Sequence, residues 1–246
     1  MMAEGSADLC WDPLEVDSAG TGPDLVVIPG FATEDWTPGL EALTGSYTLH
    51  RVHVPGFAGE QPPRGIRSVR DVACLVKAEL MSRGLVGAPV LGHSIGGWVA
   101  AELASIAHPE RLVLVDAMGL RIVGEPRENI FDRPRDAVAD LVYNDSSKAP
   151  EWSSLGYSGL ARFGWSPYLC DPSLPNRLVV LDVPTLVVWG ADDRVVPPTH
   201  ADLFCTLIRG ARSEVIAGAG HDPTSEQPGR FAQIVRDFVP SKEASE

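Results

Sequence analysis

A serine bracketed by glycines stands out in Gly92-His93-Ser94-Ile95-Gly96. The apolar run Val90-Leu91 precedes it and a stretch of small residues, Gly96 to Ala107, follows. A strand that turns into a helix this abruptly tolerates only small neighbours. It presents the serine Oγ at a helix N-terminus, where amide groups and the dipole favour a developing anion. A serine hydroxyl needs a base to attack a carbonyl, and the base needs an orienting acid. His221, in Gly218-Ala219-Gly220-His221-Asp222, follows a strand-like run and precedes the last helical stretch. Asp193, in Gly190-Ala191-Asp192-Asp193-Arg194, follows another such run. Together the three types support nucleophilic acyl transfer.

Each also has a plain structural use: a small turn residue, a satisfied loop histidine, a helix cap. Two other carboxylates stay open as the acid, Asp192 beside Asp193 and Asp116 at the end of an earlier strand. His50, His53, His108 and His200 lack the strand-then-Gly-His setting, and His93, next to the serine, is read as pointing elsewhere.

The elements that must position these residues repeat one pattern. An apolar run ends at glycine, proline or aspartate, and a helical stretch follows. The runs are Asp24–Ile28, Thr48–Val54, Ala88–Leu91, Arg111–Val115 and Pro184–Trp189. Several are continuously apolar, as strands buried on both faces of a parallel sheet are. Arg212–Ile216 alternates more and is expected nearer an edge, and Leu14–Asp17 reads as one short opening strand. Ser68 with Asp71 predicts an N-cap for a helix running to Gly84, with Val72, Leu75, Val76 and Leu80 at helical spacing. Glu226 to Val239 puts Phe231, Ile234, Val235 and Phe238 on one stripe. The fold class expected is α/β, a doubly wound, mostly parallel sheet flanked by helices.

One region breaks the rhythm. Residues 118–183 are dense in Pro, Asp, Arg and aromatics, including Trp152, Tyr157, Phe163, Trp165 and Tyr168. Pro134 to Asn144 reads as a helix with proline in its first turn. An insertion leaving the carboxyl end of a strand lies over the ligand crevice, so 118–183 is expected to be a small helical lid. Residues 1–117 and 184–246 then form one core domain.

Composition narrows the function classes. Hydrophobic residues make up 44% and charged residues 22% of 246, the mix of a globular protein, which excludes disordered and coiled-coil readings. A net charge of −13 repels phosphate backbones, so nucleic acid is not expected as a partner. The apolar runs are too short to span a bilayer, and the opening residues show no secretory signal, so a cytoplasmic location is expected. Cys10, Cys74, Cys170 and Cys205 are scattered without a CxxC pair, as reduced cytosolic thiols would be.

In four features in chain order the sequence resembles the α/β-hydrolase superfamily over nearly its whole length. They are Pro29-Gly30-Phe31, Gly92–Gly96, Gly190–Pro197 and Gly220-His221. The resemblance implies Ser94 as nucleophile, His221 as base and Asp193 as acid, the last selected over Asp192 by the family's Gly-x-x-Asp spacing. It also implies an oxyanion hole made by the backbone N–H groups of Phe31 and Ile95. Two positions depart from the family pattern: Pro29 stands where most relatives have histidine, and His53 where they have aspartate.

The expected activity is hydrolysis of a small, largely apolar carboxylic ester or lactone, with no metal or organic cofactor. Trp36, Phe57, Trp98, Trp152, Phe163 and Trp165 are candidate pocket walls. Two alternatives use the same fold: hydrolysis of a carbon–carbon bond in a vinylogous diketone, and a non-hydrolytic cyclase or binding protein.

Overall fold

The computed structural model describes residues 13–31, 36–57, 62, 65–134, 137–149 and 158–241. Trp152 and Tyr157, weighed above as lid aromatics, lie outside the described residues.

Seven strands form one sheet, β1 (Val16–Gly20), β2 (Asp24–Ile28), β3 (Thr48–Val52), β4 (Val90–His93), β5 (Leu112–Val115), β6 (Thr185–Gly190) and β7 (Arg212–Ile216). Their order is β1-β3-β2-β4-β5-β6-β7, with only β1 antiparallel to its neighbour. The opening strand therefore starts two residues later than the sequence suggested. Its register on β3, Val16 opposite Val52, is continued by the His53 N–H donating to the Glu15 carbonyl. β7 is an edge strand with four of its five residues exposed, which explains its weak apolar pattern.

Alternation along the central strands divides the core in two. Val26, Ile28, Val90, Leu112, Leu114 and Val187 face one side, against α2 (Val69–Ser82) and α3 (Ile95–Ala107). Leu25, Val27, Leu91, Val113, Val115 and Val188 face the other, against α1 (Pro38–Glu41) and the C-terminal helix. Both faces being covered is what makes these strands read as continuous apolar runs. Each such side chain contributes roughly 1.5–3 kcal/mol of burial. The start of α2 is fixed by a reciprocal capping box: Ser68 Oγ accepts the Asp71 N–H and the Asp71 carboxylate accepts the Ser68 N–H.

From the carboxyl end of β5 the chain leaves the sheet and returns at β6. Between them lie α4 (Ala139–Val142), α5 (Ser158–Gly164) and α6 (Leu174–Leu178), with 3₁₀ turns at Ile130–Asp132 and Ser146–Lys148. Of the helix expected over Pro134–Asn144, whose residues 135 and 136 lie outside the described residues, the described part shows one α-helical turn, Ala139–Val142. It ends at Tyr143, whose backbone is extended, and the carbonyls there serve other loops: Val142 O accepts the His221 N–H and Tyr143 O accepts from Arg194. The buried Glu102 carboxylate of α3 anchors the return, ion-paired to Arg70 of α2 and to Arg177 of α6.

The sheet's last units are α7 (Thr199–Leu207), α8 (Pro223–Glu226) and α9 (Pro228–Phe238). The helix expected over Glu226–Val239 is interrupted at Gln227, whose φ and ψ of −132° and 55° lie outside the α region, the region disfavoured for a residue before proline.

Candidate active site

Four loops meet at the carboxyl edge of the parallel sheet, where α/β folds place their ligand crevice. Ser94 follows β4 as the N-cap of α3, with φ 56° and ψ −122°, a conformation that costs a non-glycine residue about 1–3 kcal/mol. Four backbone hydrogen bonds hold it there. Ser94 N–H donates to Val115 O, and Ser94 O accepts from Gly97, Trp98 and Met118. Gly96 is required by close approach: a Cβ there would sit 2.3 Å from the carbonyl oxygens of both Ile28 and Pro29. That contact presses the Pro29-Gly30-Phe31 loop onto the serine turn. A Cβ at Gly30 would lie 2.9 Å from His93 Nδ1 and 3.2 Å from Ser94 Cβ.

His221 reaches the serine from the loop after β7. Its Nε2 lies 2.8 Å from Ser94 Oγ and its Nδ1 lies 2.8 Å from Asp193 Oδ2. Asp193 Oδ1 accepts the N–H groups of Val195 and Val196 at 2.8 and 2.9 Å. All three side chains are buried. The other two carboxylates go elsewhere: Asp192 is exposed and accepts from Asn144, while Asp116 accepts the Gly190 N–H at 2.9 Å. Burial and the nearby Asp193 charge push the Asp116 carboxyl well above the ordinary carboxylate range.

Two residues that the sequence reading did not assign hold the histidine loop. His93 Nε2 donates to the His221 carbonyl at 2.7 Å, and burial keeps its imidazole below the usual histidine range. Glu226 gathers three amides, accepting from Gly220 at 2.6 Å, Asn144 at 2.8 Å and Asp145 at 2.9 Å. The only sequence signal for either was position: one beside the serine, the other one residue before Gln227-Pro228. Tyr143, whose hydroxyl donates to Asp222, is raised far above its ordinary range by burial and then by that carboxylate.

The remaining predicted residues are dispersed around this centre. Ile95 opens α3, where the first amides lack intrahelical acceptors. Phe31 is half-buried on the loop beside Ser94. Phe57 is buried edge-to-face with Phe163, ring centroids 6.3 Å apart. Trp98 is buried on α3 against Gly119. Trp36 packs on the opposite sheet face, under the Arg51 guanidinium. Trp165 is 62% exposed and leans on Phe131. His53 forms a partly exposed cluster with Asp17 and Glu15 near the antiparallel strand. Asp17 there is already taken by Arg51 at 2.9 Å, which with His53 pulls its carboxyl below the ordinary range.

A nucleophile, a two-nitrogen relay and a carboxylate in one hydrogen-bonded run can move a proton off the serine as a carbonyl is attacked. The chain belongs to the alpha/beta hydrolase family, whose sequence model matches residues 25–234. It is 28% identical to the pimeloyl-[acyl-carrier protein] methyl ester esterase of Aeromonas salmonicida (strain A449), over 92% of this chain and 99% of that protein. Solved structures with the same fold include a meta-cleavage product hydrolase from Pseudomonas fluorescens IP01, with a TM-score of 0.75 and 21% identity over 92% of this chain and 93% of that one. The enol-lactonase from Burkholderia xenovorans LB400 matches with a TM-score of 0.74 and 19% identity, over 92% and 96% of the two chains. The protein is therefore a hydrolase of this family, and none of its helices, among the described residues, is long and apolar enough to cross a membrane.

Proposed function

We propose that the chain is a serine hydrolase that cleaves a small, largely apolar carboxylic ester or lactone through an acyl-enzyme on Ser94. The observation that carries this reading is the run Ser94 Oγ–His221 Nε2 and His221 Nδ1–Asp193 Oδ2, 2.8 Å at each link. Ser94 Oγ attacks the carbonyl carbon while His221 Nε2 takes its proton. Asp193 holds the imidazole in the tautomer with hydrogen on Nδ1 and stabilises the imidazolium that forms. The N–H groups of Phe31 and Ile95 receive the oxyanion, an interaction whose loss typically costs about 10²–10³ in rate. His221 then protonates the leaving alcohol. A water, deprotonated by the same imidazole, releases the acid and restores Ser94.

Residues 118–183 act as a lid in this reading. Support comes from where they are tied: Val142 to the His221 amide, Asn144 and Asp145 to Glu226, and Arg162 to the Ile66 carbonyl. Phe57, Trp98 and Phe163 supply apolar walls, with Trp36, Trp152 and Trp165 as further candidates. The methyl ester in the name of the Aeromonas relative is the bond type this reading carries over. Free thiols at Cys74, Cys170 and Cys205 accord with a cytoplasmic location.

A fluorophosphonate probe and a panel of aryl esters test the proposal. Covalent labelling and ester turnover, both absent from Ser94→Ala, are the expected result. Folded protein that takes no label would replace this reading with a binding or cyclase role. Turnover confined to a ring-fission dienone would replace it with carbon–carbon hydrolysis.

A further inference from the structure

Asp116 stands at the carboxyl end of β5, beside the serine's strand, and the proton relay described above makes no use of it. It is fully buried, and its φ of 45° is unusual for a residue with a side chain. Its Oδ1 accepts the Gly190 N–H at 2.9 Å, tying the end of β5 to the end of β6 just where the acid loop begins. Its Oδ2 is buried and meets no donor among the described residues. The Asp116 carboxyl, the Asp193 carboxylate and the His221 imidazole each place a polar atom within 4.8 Å of the other two.

Two carboxylates this close and shielded from water do not both stay charged. Asp193 is met by three donors, from Val195, Val196 and His221. Asp116 has one donor, from Gly190. The other charged group acting on it, Asp222, is also acidic and pushes the same way. A proton on Asp116 Oδ2 removes the repulsion and turns an unsatisfied acceptor into a donor. Without that proton, a buried acceptor would face another acceptor at a cost of about 1–3 kcal/mol.

We propose that Asp116 is a positioning residue held in its protonated form, its Oδ2–H donating to the Asp193 carboxylate and so fixing the acid that orients His221. The donated hydrogen bond also draws charge off Asp193, so the imidazolium is held less tightly and the base returns sooner to its neutral, working form. The kinetic part of this inference rests on the hydrolase reading. The protonation itself does not.

The test compares wild type with Asp116→Asn and Asp116→Ala. Asparagine keeps the acceptor for Gly190 and supplies N–H donors in place of Oδ2–H. In infrared difference spectra the wild type is expected to show the C=O stretch of a protonated carboxyl group that Asp116→Asn lacks. On an aryl ester, kcat/KM of Asp116→Asn is expected within about threefold of wild type, with the same acid limb in its pH profile. Asp116→Ala is expected to lose about tenfold or more, with its acid limb moved to higher pH by about half a unit. The proposal is overturned if the protonated band is missing, if the asparagine variant is as impaired as the alanine variant, or if the alanine profile overlies the wild type. Should Asp116→Ala fail to fold, the spectrum and the asparagine profile decide alone. Failure of the hydrolase reading would show separately, as absent Ser94 labelling with the infrared band intact.

Discussion

The imidazole of His93 donates to the main-chain carbonyl of His221 at 2.7 Å, the two rings lying 5.5 Å apart. One histidine, adjacent to the serine in sequence, thereby sets the height of the other over the serine hydroxyl. The bond links the end of β4 to the loop after β7, two segments 128 residues apart.

Removing that bond is expected to damage turnover more than affinity. In His93→Ala the His221 backbone loses its partner, and displacements of the order of 1 Å at a reacting group cost about 10²-fold in rate. Steady-state kinetics on an aryl ester are expected to give a kcat lowered by about 10- to 100-fold with KM little changed. A KM effect alone would place His93 in substrate binding instead.

His221 itself is expected to be dispensable for folding. Among the described residues its side chain hydrogen-bonds only to Ser94 and Asp193, and Asp193 retains two backbone donors without it. His221→Ala should lower kcat by about 10⁴-fold or more, while its urea midpoint moves by less than about 1 kcal/mol equivalent. A large loss of stability would make the residue structural.

Glu226 carries the opposite expectation. Three buried or half-buried amides converge on its carboxylate, two of them from the 118–183 segment. Hydrogen bonds to a charged acceptor are worth about 1.5–3 kcal/mol each, and the three are not additive. Glu226→Ala is expected to destabilise by about 3 kcal/mol in urea unfolding and to lower activity through the displaced histidine loop. Glu226→Gln, which keeps the shape but loses the charge, should recover part of that.

Gly96 and Gly45 give a paired test of the serine turn. A methyl at Gly96 meets two backbone carbonyls at 2.3 Å, whereas one at Gly45 meets nothing within 4 Å. Gly96→Ala should destabilise by about 3 kcal/mol or more and abolish probe labelling. Gly45→Ala should stay within about 0.5 kcal/mol of wild type.

The acid dependence of stability follows from buried histidines. Burial keeps His93 and His200 below the usual histidine range, so they stay neutral in the folded chain while the unfolded chain protonates below about 6.5. The unfolded state then binds more protons, and these residues make stability fall as pH drops below about 6.5. Asp116 acts with the opposite sign: raised in the folded state, it binds a proton there that the unfolded chain has lost above about 3.9, so its contribution falls as pH rises. The check is therefore a difference between slopes. Between pH 5 and 7, His200→Asn should gain less stability than wild type in urea melts, and Asp116→Asn should gain more.

Much of the architecture was legible because its causes are local. Leu112–Val115 and Thr185–Gly190 read as buried strands because every residue is apolar or small on both faces, and the elbow reads from glycines that must be small. Where local signals misled, a long-range contact had intervened. The turn at Ala139–Val142 gives way to an extended Tyr143, where Val142 O and Tyr143 O bond to His221 and Arg194 from distant loops. The break at Gln227 was readable in principle, since Pro228 forces it.

Residue type and neighbourhood picked out Ser94, His221 and a short list of carboxylates. They could not choose within that list on chemistry alone, because Asp116, Asp192 and Asp193 all lie just past strands of one sheet. Folding separated them: one carboxylate reaches the imidazole, one turns to solvent, and one is buried behind with a single donor. Strand order decides which loops converge, and hydrogen bonds between those loops leave no trace in the spacing of any one segment.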